Sequence, residues 1–280
     1  MKHHPILSVK ARWVNFAVRH FKYTPYYSGM KRIHNTHVGE SCFVIGNGPS
    51  LTAADLDTLA ENHIDSFAMN RIYKIFSQTI WRPTYYVNTD WTLIRDVLEE
   101  VDQLSAKQKF FPVHHLYEEN YRKAIHNKSI FRLKRPDEVD FKIDCSESLR
   151  GVGTVTIASI QLAAHMGYRN IYLLGVDHNF DHIIDENGNT VINEGVKNYF
   201  VDDYDTDILS EVTHDIGNTT KRYYEVQEFY PKHGVNIYNA TRTTKLNAFP
   251  KVSFEEAIES IKKRNYSEQQ KNCIPAQKKF

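Results

Sequence analysis

The most constraining stretch of this chain is Ser41–Leu51 (SCFVIGNGPSL), where a short apolar run halts at Gly46-Asn47-Gly48-Pro49-Ser50 and Leu51–Leu59 then takes up helical spacing. Such a run stopped by two glycines and a proline reads as a buried strand, a tight turn and a helix. The pattern recurs. Ser66–Met69, Thr84–Asn88, Lys109–Val113, Asn170–Leu174 and Val235–Tyr238 read as strands, with helices expected over Trp91–Leu104, Thr154–Met166, Thr219–His233 and Ser253–Lys263. Strands that alternate with helices of this length need crossover connections, so the sequence predicts an α/β class: a doubly wound, mostly parallel, Rossmann-like sheet.

The charges divide the chain. The formal net charge is +1, which announces no nucleic-acid partner. Residues 1–40, however, hold seven Lys and Arg against Glu40 alone, and residues 261–280 hold six against Glu268. An acidic body between two basic ends follows. The division drawn is a basic helical arm over 1–38, an α/β catalytic domain over 39–260, and a basic tail over 261–280 whose last fifteen or so residues read as frayed. Within the domain, 181–204 is polar and turn-rich, as expected of a variable lid loop. Read as a helix, the arm puts Ile6, Val9, Trp13, Phe16 and His20 on one face. That face either docks on the domain or lies on an anionic membrane surface. Cys42, Cys145 and Cys273 are odd in number and widely spaced, which suits a reducing cytoplasm. No apolar run is long enough to span a bilayer and no signal-peptide core is seen, so the expectation is a cytoplasmic protein, peripheral at most at the inner face of the membrane.

In an open parallel sheet, ligands sit beyond the carboxyl ends of the strands. Gly46, Asn47, Gly48 and Ser50 follow the first strand, and the helix behind them offers unpaired N–H groups to a phosphate. An ordinary connection with Ser50 as helix cap explains the same residues. Asn70 and Asn88 end the next two strands, Asn88 followed by Asp90; each alone is a common turn residue, but three strand-end amides suit nucleotide hydroxyls and a base edge. Gly153 and Thr154 open a second helix at the same rim, and Asp177 and His178 follow the strand Asn170–Leu174. His178 and His182 make an improbable zinc pair in that turn-like setting. His214, in a polar turn before Asn218-Thr219, has the chemistry of a general base, although a solvated histidine is the ordinary reading of any one of fourteen.

The segments Val44–Leu51 (VIGNGPSL), Met69–Tyr73 and Gly151–Asp177 resemble two related groups. One is the broad family of archaeal 6-hydroxymethylpterin diphosphokinases and bacterial motility accessory factors linked to flagellin glycosylation, which Tyr238-Asn239-Ala240-Thr241 and Leu246–Pro250 resemble as well. The other is the bacterial sialyltransferases of glycosyltransferase family 42. The second resemblance implies that Asn47 and Gly48 lie by a donor phosphate and ribose, Asn70 and Asn88 by the nucleotide, and Gly153 and Thr154 by sugar and base. It makes His214 the leading candidate for catalytic base, one residue farther from its Asn-Thr than in that family. The tyrosines that assist phosphate departure there are not reproduced after Asp177; Tyr199 and Tyr204 from the lid are the available substitutes.

Three functions follow from these residues and resemblances. The first is an inverting glycosyltransferase that uses a CMP-sugar, needs no cofactor, and modifies a cell-surface glycan or protein acceptor. The second is a Mg²⁺-dependent 6-hydroxymethylpterin diphosphokinase, for which Asp90 and Asp177 are the available carboxylates. The third is a nucleotide-binding module without turnover.

Overall fold

The computed structural model describes residues 5–90, 97–117, 127–185, 187–201, 204 and 214–273, the side chains of 5–8, 10, 214 and 265–273 excepted. In chain order the elements are α1 (Pro5–Arg19), α2 (Pro25–Ile33), β1 (Ser41–Ile45), α3 (Ala53–Glu61), β2 (Ser66–Met69), β3 (Tyr85–Val87), α4 (Leu98–Gln103), β4 (Gln108–Pro112) and β5 (Lys128–Phe131). There follow β6 (Leu133–Lys134), β7 (Leu149–Arg150), α5 (Val155–Met166), β8 (Asn170–Leu174), β9 (His182–Ile184), β10 (Thr190–Ile192), β11 (His214–Asp215), α6 (Ile216–Phe229), β12 (Asn236–Asn239) and α7 (Phe254–Cys273).

Seven strands form the central sheet in the order β12-β8-β1-β2-β3-β4-β5. Every adjacent pair is parallel. The expected doubly wound, Rossmann-like sheet is therefore present. Its middle strands are buried on both faces: all four residues of Ser66–Met69 and all five of Asn170–Leu174 are buried, as unbroken apolar runs in a helix-covered parallel sheet require. Helix α5 is buried at all but its first residue, so it carries no polar stripe and packs beneath β1, β2 and β3. It ends at Gly167 in the left-handed region (φ 107°), where a Cβ would lie 2.9 Å from the backbone of His37.

Several boundaries move for local reasons. The helix expected from Thr219 begins at Ile216, because Asp215 caps it by accepting from the Asn218 N–H, and it stops before Pro231. The helix expected over Ser253–Lys263 runs to Cys273, across the boundary drawn at 260 and into the tail expected to fray; a capping box starts it, Ser253 Oγ accepting from Glu256 N–H and Glu256 accepting from Ser253 N–H. Of the helix expected over Trp91–Leu104, residues 91–96 lie outside the described ones and Leu98–Gln103 is helical. The strand β5 was not expected. Within the region 181–204, β9 and β10 form a hairpin, and β11 adds to β9 in parallel.

The arm is helical, and it meets the body through one side. Helix α1 docks through Val14 and Ala17, with Phe21 just beyond its end, and small Ala17 lets it approach the turn Val113–Tyr117. The apolar stripe read from the sequence stays largely outside: Val9 is 65% exposed, Trp13 43% and Phe16 47%. Among the described residues no helix is long and apolar enough to cross a membrane.

Candidate functional site

The chain runs outward from β1 through β2, β3, β4 and β5, then returns to build β8 and β12 on the other side of β1. The strand order therefore reverses between β1 and β8, and a crevice opens where their following turns diverge. That crevice is a cleft of about 830 Å³. Of the sequence-derived candidates it brings together Gly46, Asn47, Gly48, Asn70, Asp90, Gly153, Thr154, Asp177, His178, Tyr199 and Tyr204 on its walls. Ser50 and Asn88 stand behind the wall.

The two floor turns are locked together. Gly48 N–H donates to Gly175 O at 2.8 Å, and a Cβ on Gly46 would lie 2.3 Å from that same oxygen. A Cβ on Gly48 would lie 1.9 Å from Asp177 Oδ2, so both glycines are required by close approach. Buried Asp177 is a bracket: it accepts from Ser50 Oγ at 2.8 Å and from Thr243 Oγ1 at 3.1 Å, while its carbonyl accepts from Lys245 N–H. Asp177 and Ser50 are thus committed to each other. The role this gives them is to fix the floor.

The amides are differently employed. Asn47 donates from Nδ2 to Met69 O at 3.1 Å and to the Tyr204 phenol oxygen at 2.8 Å. Its Oδ1 is buried and has no protein partner among the described residues, so a ligand donor would find an acceptor there. Asn70 holds φ 52°, and its Oδ1 accepts from Asn88 Nδ2 at 3.4 Å. Fully buried Asn88 thereby orients Asn70 from behind.

Tyr204 closes the cleft over Asn47. Its hydroxyl also accepts from Arg71 N–H at 3.2 Å, its carbonyl accepts from the Arg71 guanidinium at 2.6 Å, and its ring stacks on Tyr199 at 3.9 Å. Phe200 N–H donates to Asn47 O at 3.0 Å, so the 181–204 segment is fastened to the β1 turn at two points. Arg71, buried at the end of β2, was not anticipated from sequence; an arginine after a strand carries no signal that its partner lies far along the chain.

The N-terminus of α5 lines the same cleft. Gly153 takes φ 79° with open space where a Cβ would be, and Thr154 caps the helix by accepting from Thr156 N–H. The turn leading into it is held by buried Gln161, which accepts from Arg150 N–H and donates to Arg150 O, both at 2.8 Å. The remaining wall comes from α6. His178 Nε2 lies 2.7 Å from Thr220 Oγ1 and its ring meets the Tyr223 ring edge-on. Asp215, Asn218, Thr219, Arg222 and Tyr223 line this side, and sequence reasoning missed all but the Asn-Thr pair. Their three- and four-residue spacing is a signal that could have found them, since it places Asp215, Asn218 and Arg222 on one face of a helix. The backbone of His214 pairs with Ile183 at the start of α6, beside the cleft; its imidazole lies outside what the structure describes.

Hydrogen bonds from the Asn218 side chain and N–H hold the Asp215 carboxyl below its ordinary value, so it is anionic at neutral pH. Burial pushes the Tyr223 phenol up, against hydrogen bonds to Thr156 and Thr154. With Asp90, Asp177 and Asp215 against Arg222, a phosphate here would depend on helix N-termini and amides more than on net positive charge. Among the described residues, three potential metal ligands approach one another only at His34–Asp144–His165 and His37–Glu40–Asp65, and neither group lines the cleft. Asp177 is already held by two hydroxyls.

Comparison with known proteins bears on the fold and the family. No curated protein matches this chain. Among solved structures, the MAf glycosyltransferase from Magnetospirillum magneticum AMB-1 superposes with a TM-score of 0.51 at 16% identity, over 84% of this chain. The chain spans 37% of that larger protein, and the likeness is one of fold. The family model described as 6-hydroxymethylpterin diphosphokinase MptE-like matches residues 17–182, more than half of the sequence, from the second half of α1 through the floor turns to His182. The chain belongs to the 6-hydroxymethylpterin diphosphokinase MptE-like family.

Proposed function

We propose that this cleft binds a nucleotide-activated sugar and that the chain is an inverting glycosyltransferase, with a CMP-sugar as donor and a cell-surface glycan or protein as acceptor. The observation that carries the reading is the Tyr204 hydroxyl held on the Asn47 amide, in the same cleft as the Thr154-capped N-terminus of α5. A phosphate between them would meet N–H dipoles on one side and amide and phenol groups on the other. In the proposed step His214 takes the proton from an acceptor hydroxyl, that oxygen bonds to the anomeric carbon, and the bond from that carbon to the phosphate oxygen breaks. The electron pair leaves with CMP, beside Tyr199 and Tyr204. The fold shared with a glycosyltransferase supports this reading. Incubation with a panel of nucleotide sugars and a glycan acceptor, following nucleotide release, tests it. CMP release that is lost in His214→Ala is expected, and turnover of no donor would overturn it.

The family description favours a second reading, transfer of pyrophosphate from ATP to a hydroxymethyl pterin. Mg²⁺ would there neutralise the phosphates, and Asp90 and Asp215 are exposed carboxylates among the described residues of the cleft wall. Consumption of a pterin alcohol that needs both ATP and Mg²⁺ separates this reading from the first.

A further inference from the structure

Helix α1 presents two adjoining surfaces. One, through Val14 and Ala17, is buried against the body. The other carries Val9, Trp13 and Phe16, exposed by 65%, 43% and 47%, with His20 one turn farther on. At 3.6 residues per turn these four positions fall within about 60° of the helix circumference. Arg12 and Arg19 lie next to the stripe on the side away from the docked face, and both are exposed. Beyond the helix, Lys22 and Tyr23 are exposed as well. The chain has no Asp or Glu before Glu40, whereas residues 41–260 are strongly acidic.

We infer that this face of α1 is a docking surface for an anionic phospholipid bilayer. Burial has already selected the Val14 and Ala17 side as the one that holds the helix, while Trp13 touches Tyr26 edge-on at 6.0 Å and still stays 43% exposed. A tryptophan and a phenylalanine beside arginines match the headgroup boundary: the rings enter the acyl margin while the guanidinium groups meet lipid phosphates. Each basic group near such a surface adds to attraction, and the acidic body is repelled from it, so only this side of the molecule faces the lipid. A second copy of the chain is the other candidate occupant. A three-residue stripe offers far less than the roughly 800 Å² per partner of a stable interface, whereas membrane adsorption has no such minimum. The inference stands apart from the reaction proposed for the cleft, since none of these residues lines it.

The test uses the full chain and vesicles of equimolar phosphatidylglycerol and phosphatidylcholine, with pure phosphatidylcholine vesicles as control. Co-sedimentation with the anionic vesicles only is expected, weakened about tenfold or more in Trp13→Ser/Phe16→Ser and in Arg12→Gln/Arg19→Gln. Unchanged thermal melts in both variants confirm that the fold is intact. As a measurement that needs no destabilising change, bromine-labelled lipid quenches tryptophan fluorescence in the unaltered chain, and Trp13→Phe removes that quenching. Absence of binding, or binding indifferent to both double variants, overturns the inference. So does a lipid-free dimer in sedimentation velocity that Trp13→Ser/Phe16→Ser dissolves, which would assign the face to a second copy.

Discussion

The Asn47 amide donates to the Tyr204 hydroxyl at 2.8 Å, across 157 positions of sequence. The contact joins a turn read directly from its glycines to a loop residue offered only as a substitute. Tyr204→Phe keeps the stack on Tyr199 but removes the acceptor shared by Asn47 and Arg71. On the proposed reaction, the expected result is a fall in turnover of the nucleotide sugar of about tenfold or more, with a stability loss of about 1 kcal/mol. Steady-state kinetics beside a thermal melt separates the two. An unchanged kcat would make Tyr204 a fastener of the loop and no more.

Two glycines on the cleft wall predict losses of different origin, only the first of which reaches the nucleotide. Gly48→Ala drives a methyl group onto the Asp177 carboxylate and must open the floor, costing about 1–3 kcal/mol by overpacking together with nucleotide affinity. Gly153→Ala meets no atom within 4 Å and strains only a φ of 79°, costing about 1 kcal/mol. Denaturant melts and nucleotide titration of both variants check the contrast.

What the sequence disclosed and what it hid divide along the distance between interacting residues. The turns at Gly46–Ser50 and Gly151–Thr154 were legible because glycine, proline and helix caps act within a few positions. Six of the seven central strands were legible as apolar runs. Strand β5 was not, because Lys128 and Ser129 open it and an edge strand needs only one buried side. The stripe on α1 was read correctly as a stripe and left undecided between body and membrane; small Ala17 and Val14 gave the body a better surface to meet. Arg71, Gln161 and Tyr223 act through tertiary partners, and nothing local announces them.

Acid should weaken the fold through His115. Its imidazole is fully buried, and desolvation, with His114 beside it, lowers its pKa from 6.5 to about 3. The folded state therefore binds this proton less readily than the unfolded state. Stability is at its full value above pH ~6.5 and declines as pH falls toward 3, by about 2 kcal/mol at pH 5. His115→Gln should flatten the profile by close to one proton between pH 6 and 4. Chemical denaturation across that range reads the difference, and parallel curves would refute the assignment.

Arg242 grips the buried Asp55 carboxylate at 2.6 and 2.7 Å, tying the segment after β12 to the helix that follows the β1 turn. Arg242→Ala strands that carboxylate, and because the guanidinium is 44% exposed the cost is about 2 kcal/mol, below that of a fully buried pair. Thr243 follows directly and holds Asp177, so nucleotide affinity should fall with stability. A melt and a binding titration on the same sample reveal whether the two losses travel together.

Strand β9 is shared. It pairs with β10 on one side to make the hairpin of the 181–204 segment and with the backbone of His214 on the other. Any swing of that hairpin drags the His214 backbone with it. On the proposed chemistry, the base then comes into register only as the aromatic segment shuts over the donor. On that chemistry, bulk water would have little opportunity to be deprotonated beside an uncovered sugar, and the wiring of a small three-stranded sheet would suppress wasteful hydrolysis of the activated donor.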